Sequence, residues 1–293
     1  MSLARVLSLT SLAMIAFACN SLLCRVALKH TAIDPASFTA LRLSAGAGTL
    51  WLIAALGRRG RAGQGNWASA LALFVYAAGF SFAYVSLPAS MGALLLFGAV
   101  QATMIARGLW SGERLGGLQL LGLGLALAGL VGLLLPGVSA PPPLGAVLML
   151  SAGFAWGIYS LRGKGTGDPI RVTAGNFLRT VPLALALSLL MKGSASLDAA
   201  GCAAAVASGA LASGLGYAIW YTALPGLRAT TAATVQLSVP VLAAFGGVTF
   251  LGEHLTLRLG LASVAILGGI ALVILERRVA LLPPSFAPAA PPD

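Results

Sequence analysis

The stretch FAYVSLPASM (Phe82–Met91) has a counterpart later in the chain, WYTALPGLRA (Trp220–Ala229). Both contain Tyr-x-x-Leu-Pro, and Tyr84 of the first lies 137 positions before Tyr221 of the second. Each stretch interrupts a long apolar run, so we expect a turn between two helices, with the proline starting the second helix. A turn that occurs twice at a fixed offset indicates an internal repeat.

Further matches at this offset continue on the N-terminal side of the turn. They pair Phe17-Ala18 with Phe154-Ala155, Arg25 with Arg162, Leu41-Arg42 with Leu178-Arg179, and Gly79-Phe80 with Gly216-Tyr217. Beyond the turn the offset becomes 140, which pairs Glu113 with Glu253 and Gly129 with Gly269. One length difference of three residues accounts for this change. The ordered series indicates two copies of one unit.

The composition places both copies in a membrane. Of the 293 residues, 58% are hydrophobic and 9% are charged, whereas soluble domains have about 25% charged residues. Apolar runs of about 20 residues are long enough to cross a bilayer as helices. The sequence therefore predicts an all-α integral membrane protein with ten spans, approximately at 5–28, 36–56, 67–86, 89–109, 116–135, 144–161, 170–191, 198–223, 227–250 and 257–275.

The ten spans divide into two five-helix units, residues 1–138 and 139–277, followed by a Pro-rich end, 278–293, that we expect to be a disordered cytoplasmic tail. Because five is odd, the second unit must enter the membrane from the opposite side. The sequence thus predicts two inverted repeats. Many secondary transporters have this plan, with the substrate site near mid-membrane between the repeats.

The basic residues predict how the chain is oriented. A net charge of +11 would indicate a nucleic-acid partner for a soluble chain, but here it flanks membrane spans, so we expect a lipid bilayer and no nucleic acid. Lys and Arg accumulate on the cytoplasmic side of membranes. With the N-terminus inside, that side receives twelve of them and the other side four, Arg25, Lys29, Lys192 and Arg258. Both termini are therefore predicted to be cytoplasmic.

These features resemble the drug/metabolite transporter superfamily of the EamA type. The resemblance rests on first helices that end in a basic residue ("AFACNSLLCR", "GFAWGIYSLR"), an Arg in the second helix, the Tyr-x-x-Leu-Pro turn and a Gly-Glu pair, and it extends to about Glu276. Within the superfamily the chain looks most like the YddG-type bacterial inner-membrane exporters of aromatic and other amino acids. The resemblance implies a basket-like bundle in which spans 1, 3, 4, 6, 8 and 9 surround a central cavity, with spans 5 and 10 outside.

Aromatic side chains are the first candidates for a substrate site. Residues four apart share one face of a helix, and a tyrosine hydroxyl in a membrane favours a polar cavity. Ordinary helix packing is the alternative for each of them. The candidates are Tyr76, Phe80 and Tyr84 in span 3, Trp156 and Tyr159 in span 6, and Tyr217 and Tyr221 in span 8.

Three amides extend the candidate site, because an unpaired amide is costly in lipid. They are Asn20, Gln101 and Gln236, and an interhelical hydrogen bond is the alternative for each. Pro240 lacks the N–H that would bond the carbonyl of Gln236. We therefore expect a hinge at Pro240, with that carbonyl open to a substrate ammonium or to water.

Arg42 and Arg179 lie within spans and allow two interpretations. A buried cation could bind a substrate carboxylate. The other possibility is a structural role, in which each arginine binds backbone carbonyl groups of its own repeat. This role is favoured because matched residues occupy opposite halves of an inverted fold, whereas a single substrate site is asymmetric.

The positions of the acidic residues and histidines, together with the motifs of the sequence, indicate transport without a catalytic or proton-coupled step. Every carboxylate outside the C-terminal tail falls at a helix end or in a loop, and neither histidine lies in a predicted span, although proton-coupled carriers commonly use such a group inside the membrane. No H-E-x-x-H or G-x-S-x-G motif points to an enzyme, and no cofactor or metal is expected. We expect a monomeric inner-membrane exporter of aromatic and other neutral amino acids, working by alternating access with facilitated or weakly coupled transport. An exporter of drug-like molecules or other metabolites and a non-transporting scaffold or channel remain the alternatives.

Overall fold

The computed structural model describes residues 2–56, 65–110, 112, 116–135, 137, 140–163, 168–227 and 235–280, and only the backbone of residues 3 and 274–280. All regular structure in these ranges is helical. The α-helices are α1 (Leu3–His30), α2 (Pro35–Leu56), α3 (Trp67–Tyr84), α4 (Ala89–Trp110), α5 (Gly117–Leu134), α6 (Pro143–Arg162), α7 (Pro169–Leu190), α8 (Ala199–Ala207), α9 (Gly216–Ala223), α10 (Ser238–Leu251) and α11 (Leu257–Ala280). The predicted tail, 278–293, falls outside what is described beyond the backbone of its first residues.

The first seven predicted spans correspond to α1–α7 within a few residues. The eighth is a composite, in which a π-helix, Ser208–Leu215, joins α8 to α9 and a short 3-10 turn, Leu224–Gly226, follows. Eight helical segments of the described ranges are long and apolar enough to cross a membrane, and α10 and α11 contribute shorter apolar stretches. The prediction of an all-helical, multi-pass membrane protein is confirmed.

Span 9 is interrupted within its described part: residues 235–236 are helical, Leu237 forms a turn and α10 begins at Ser238. One detail of the prediction is wrong: Pro225 does not start the next helix, since it lies in the 3-10 turn that ends the eighth crossing. Pro88, in contrast, directly precedes α4 and its carbonyl accepts the N–H of Gly92.

The helices alternate in direction, so their connections collect at two ends of the bundle. We name these the Asp34 end, which holds the α1–α2, α3–α4 and α7–α8 connections, and the Arg162 end, which holds the α6–α7 connection and the start of α3. Asp34 caps α2 by accepting the N–H groups of Ala36 and Ser37, and it also accepts the N–H of Ser196 from the α7–α8 connection. Although partial burial raises the pKa of Asp34, these hydrogen bonds outweigh burial and hold it below its usual value.

Helices α5 and α11 form an extensive pair at the side of the bundle. Glycines permit their close approach: a Cβ atom at Gly269 would lie 2.4 Å from the carbonyl oxygen of Gly122, and one at Gly122 would lie 2.5 Å from the carbonyl oxygen of Gly269. Small residues at helix interfaces commonly serve this purpose in membranes. At the Asp34 end, Arg258 of α11 donates to the carbonyl oxygens of Gly132 and Leu135 of α5.

Replacing Gly269 with Ala is expected to destabilise this pair, because the added methyl group meets backbone atoms that cannot turn away. Overpacking of this kind costs about 1–3 kcal/mol. The neighbouring Gly268→Ala variant is the matched control, since a Cβ atom there meets no atom within 4 Å. We expect the melting temperature in detergent to fall for Gly269→Ala only, and equal melting temperatures for both variants would contradict the packing.

The other helices pack across the centre of the bundle. Helix α3 packs against α6 and α7, α2 against α7 and the eighth crossing, α4 against α6 and α10, and α1 against the eighth crossing and α10. The π-helix meets α2 closely, since a Cβ atom at Gly209 would lie 2.1 Å from the carbonyl oxygen of Arg42. These contacts enclose the space in which the candidate site lies.

Candidate functional site

A cavity lies between the central helices, with about 420 Å³ of space not filled by protein atoms. Residues from α1, α3, α4, α6, the π-helix and α9 line it, together with one residue just before α10. The lining residues are Phe17, Asn20, Ser21, Tyr76, Phe80, Leu96, Phe97, Trp156, Ala212, Ser213, Tyr217 and Gln236. These residues come from spans 1, 3, 4, 6, 8 and 9, the six that the resemblance places around a cavity, and none comes from α5 or α11.

Aromatic rings form most of the wall, and Trp156 stands at their centre. Its ring centroid lies 4.8 Å from that of Tyr76, 5.2 Å from that of Tyr217 and 5.5 Å from that of Tyr159. Phe17 packs edge-on against Tyr217 at 5.7 Å. Such offset and edge-on contacts are the favourable arrangements of aromatic rings.

A chain of hydrogen bonds runs along one side of the cavity. The Ser208 hydroxyl donates to Asn20 Oδ1 at 2.7 Å, and Asn20 Nδ2 donates to the Tyr76 hydroxyl at 3.4 Å. Arg42 Nη2 donates to the same Tyr76 oxygen at 3.0 Å. A buried polar network fixes the side chains that belong to it, so Asn20 and Tyr76 hold defined positions in the wall.

A second polar group closes the bundle at the Asp34 end. Arg25 Nε lies 3.6 Å from Glu253 Oε1, with both side chains buried, and Arg25 Nη1 donates to the carbonyl oxygens of Tyr84 and Val85. Glu253 also accepts the N–H of Ala89 at 2.8 Å, which caps the N-terminus of α4. We call this the Arg25–Glu253 cluster. It joins α1, the end of α3, the start of α4 and the connection after α10.

The backbone conformation of Gly252 explains how Glu253 reaches α4. Gly252 ends α10 at a φ of 61°, in the left-handed region that glycine adopts without strain. The chain therefore turns back, and Glu253 lies over the start of α4. Gly112, of the matched Gly-Glu pair, also has a positive φ of 86°. Its partner Glu113 lies outside the described residues.

A smaller cavity of about 300 Å³ lies at the Arg162 end. Tyr159, Arg162, Asn176 and Tyr221 line it, with Asn66 and Ser69 at the start of α3. Arg162 Nε donates to the Ser69 hydroxyl at 3.1 Å, and Asn66 N donates to Asn176 Oδ1 at 2.9 Å. Tyr159 of this lining contacts Trp156 of the central lining, with ring centroids 5.5 Å apart.

Six predicted site residues line the central cavity: Asn20, Tyr76, Phe80, Trp156, Tyr217 and Gln236. Tyr159 and Tyr221 line the second cavity instead. Tyr84 lies in neither, because its hydroxyl donates to the Ala89 carbonyl within the Arg25–Glu253 cluster. Tyr84 and Tyr221, both candidates for the substrate site, therefore do not line the central cavity. Gln101 is buried in α4 and is not part of either lining.

Pro240 lies in the first turn of α10, because that helix begins two residues earlier at Ser238. Residues 235–236 before this helix are helical as well, and the turn at Leu237 lies between Pro240 and Gln236, whose carbonyl a proline at position 240 cannot bond. The helix is interrupted where the sequence predicted a hinge, and the hinge itself stays a prediction.

Arg42 and Arg179 are not in equivalent surroundings. Arg179 is half-buried and donates to the carbonyl oxygen of Gly175, one turn earlier in its own helix. Arg42 is 1% exposed and packs over the rings of Tyr76 and Phe80. The equal roles expected from the repeat do not hold at this pair.

Small and apolar residues of the lining were missed by sequence reasoning. Ser213 comes from the π-helix, and its hydroxyl is buried in the cavity wall without a hydrogen-bond partner among the described residues. Ser208 of the same helix is outside the lining but bonds to Asn20. Phe17 and Phe97 complete the aromatic wall. The match of Phe17 with Phe154 marked the repeat but gave no sign of which phenylalanine faces inward. Within the described ranges, no group of three or more His, Cys, Asp or Glu residues could hold a metal ion.

Comparison with known proteins decides the family. The sequence profile of the EamA-like transporter family matches residues 5–135 and, a second time, residues 143–275. The chain belongs to the EamA-like transporter family, within the drug/metabolite transporter superfamily. This EamA protein is also 61% identical, over 274 residues, to an uncharacterised protein of Pseudomonas aeruginosa, an alignment that covers 93% of this chain and 96% of the relative.

The fold of this EamA protein resembles a solved structure titled only as the crystal structure of a protein. The TM-score is 0.67 at 20% sequence identity, and the alignment covers 94% of this chain and 98% of the other. At this identity the likeness concerns the fold alone. This likeness in fold agrees with the single bundle that the described helices form around the central cavity.

Proposed function

We propose that this EamA protein exports aromatic and other neutral amino acids across the bacterial inner membrane by alternating access. The observation that carries the proposal is the central cavity, which combines an aromatic wall with polar side chains at the meeting point of six helical segments. Aromatic rings bind the apolar side chain of an amino acid, and hydroxyl and amide groups suit its polar end.

The two five-helix units of the proposal are inverted repeats, residues 1–138 and 139–277. Three observations support this division. The family profile matches the chain twice. Helices at matched places in the two units pack against each other: α2 with α7, α4 with α10 and α5 with α11. The packing of α3 on α6 has its counterpart in that of the eighth crossing on α1. Inverted repeats of this kind rock around a fixed central site.

The proposed pathway runs through both cavities. Substrate enters at the Arg162 end, passes Trp156 and Tyr159, and binds in the central cavity. The Arg25–Glu253 cluster separates that cavity from the Asp34 end and must open for release. The break at Leu237, next to Pro240, is our proposed hinge for α10. Its position beside Gln236, a residue of the cavity lining, supports this choice.

The proposed orientation places the Arg162 end and both termini in the cytoplasm. The distribution of basic residues supports it, by the rule that cytoplasmic connections are positive. We propose a monomer that needs no cofactor and catalyses no chemical reaction. Arg25 and Glu253 are paired with each other in the closed Asp34 end of the proposed pathway. We therefore propose facilitated or weakly coupled export driven by the substrate gradient.

Counterflow into proteoliposomes tests the proposal. Liposomes that contain the pure protein and unlabelled L-phenylalanine are expected to accumulate labelled L-phenylalanine transiently, with and without a pH gradient. An exchange that strictly requires a pH gradient would contradict weak coupling. Exchange of drug-like cations but of no amino acid would favour the drug exporter, and no exchange of any solute would favour a scaffold. Protein-free liposomes are the control.

A further inference from the structure

Arg42 is a buried cation without a counter-ion among the described residues. Its side chain is 1% exposed, and no acidic side chain of the described residues forms an ion pair with it. Arg42 Nη2 bonds to Tyr76, but Nε and Nη1 are buried and have no hydrogen-bond partner in the described part of the chain. An uncompensated buried charge is strongly unfavourable. An anion that binds near Arg42 therefore stabilises the protein.

Two aromatic rings separate this charge from the central cavity. The Arg42 Cζ atom lies 4.8 Å from the ring centroid of Phe80 and 5.3 Å from that of Tyr76, and both rings line the cavity. Cation–π contacts stabilise a guanidinium, but they offset only part of the cost of its burial. The positive potential of Arg42 therefore extends into the cavity through a wall one ring thick.

Tyr76 can transmit this charge to a ligand. Its oxygen accepts hydrogen bonds from Arg42 Nη2 and from Asn20 Nδ2. Because the hydroxyl oxygen is the acceptor in both, its own proton is left to donate. A neighbouring cation strengthens that donation, and hydrogen bonds to a carboxylate are stronger than those to a neutral group.

The matched Arg179 shows what a structural arginine looks like in this bundle. It is half-buried, bonds to a carbonyl of its own helix and lines neither cavity. Arg42 differs in burial, in its unpaired nitrogens and in its contact with the cavity wall. A structural role thus accounts for Arg179 and leaves the charge of Arg42 unexplained.

We propose that Arg42, acting through Tyr76, forms a subsite for the carboxylate of the transported solute. Arg42 is a positioning residue, since it supplies charge and orients the Tyr76 hydroxyl, which makes the contact. The site then selects solutes that carry a carboxylate and excludes amines and amides of the same shape. This inference rests on the proposed transport function and assigns its substrate class.

Inhibition of counterflow by a matched pair of compounds tests the subsite. L-phenylalanine and L-phenylalaninamide share the ring and the amino group and differ at the carboxylate. For wild-type protein we expect the amide to inhibit labelled L-phenylalanine exchange at least about tenfold more weakly than the acid, because a site built for a polar partner rejects an analogue that lacks it. The Arg42→Gln variant is expected to lose this preference, and the Arg179→Gln variant to retain it.

A second variant protects the test against a folding defect. Tyr76→Phe keeps the ring and its packing over Arg42 but removes the hydroxyl, and we expect it to lose the preference for the acid as Arg42→Gln does. Equal inhibition of wild-type protein by acid and amide would overturn the subsite while leaving the transport function intact, as would a full preference in both variants. Absence of any phenylalanine counterflow in wild-type protein would overturn the transport function as well.

Discussion

The Glu253→Gln variant is expected to open the Asp34 end of the bundle. Glutamine keeps an oxygen for the N–H of Ala89 but removes the charge that faces Arg25 at 3.6 Å. Loss of one partner of a buried ion pair costs about 3–5 kcal/mol, since the other charge stays buried without compensation. The cost applies only while the cluster is closed, so the equilibrium shifts toward states in which Arg25 reaches water.

A buried serine of the cavity lining reports this opening. In a background free of Cys19, Cys24 and Cys202, a Ser21→Cys variant is labelled with a membrane-impermeant maleimide added from the side of the Asp34 end. We expect Glu253→Gln to raise the labelling rate about tenfold or more, a change that needs only about 1.4 kcal/mol. Arg258→Gln at the same end is the control, because Arg258 bonds to α5 away from the cavity. Equal labelling with and without Glu253 would show that the cluster does not close the pathway.

The Trp156→Ala variant is expected to weaken binding of aromatic substrates strongly. The ring centroid of Trp156 lies within 5.5 Å of the centroids of three tyrosine rings, and Trp156 lines the central cavity. Its removal takes away stacking surface and leaves the neighbouring rings unsupported. We expect the KM for L-phenylalanine to rise about tenfold or more, since lost aromatic contacts together with their buried area are worth more than about 1.4 kcal/mol, the value of a tenfold change.

A phenylalanine of the same helix provides the comparison. Phe154 precedes Trp156 by two positions and is 47% exposed on the outer face of α6. The Phe154→Ala variant therefore removes an aromatic ring from the same helix without touching the cavity. We expect its KM to stay at the wild-type value. If both variants raised the KM equally, the effect of Trp156 would be one of helix stability.

The sequence predicted most of the fold because a bilayer demands apolar runs of fixed length. Runs of that length located α1–α7 directly. The π-helix over Ser208–Leu215 was not predictable, since its sequence of small residues fits a regular α-helix equally well. The turn at Leu237 was not predictable for a related reason, since an apolar leucine fits a continuous helix equally well. Hydrophobicity locates a span but not the break inside it.

The candidate site was predicted in part. A spacing of four residues placed Tyr76 and Phe80 correctly on one face of α3, and both line the central cavity. The same spacing extends to Tyr84, which lies one turn further along, inside the Arg25–Glu253 cluster. Periodicity specifies a face and not a depth in the bundle. Repeat matching favoured equivalent roles for Arg42 and Arg179, but the surroundings of these two residues differ.

A reversible cross-link across the Asp34 end tests the proposed alternating access most directly. A Cβ atom at Gly247 of α10 would lie 3.7 Å from that of Ala89 in α4, within the span of about 3.5–4.5 Å for disulfides. It would also lie 2.5 Å from Glu253 Oε2, so the Glu253 side chain must shift to admit the cysteine. We predict that the Ala89→Cys and Gly247→Cys double variant, otherwise free of cysteine, exchanges L-phenylalanine when reduced, stops when oxidised, and recovers on reduction. The reduced protein is its own control. Undiminished exchange by the oxidised, cross-linked protein would contradict a pathway that opens at this end.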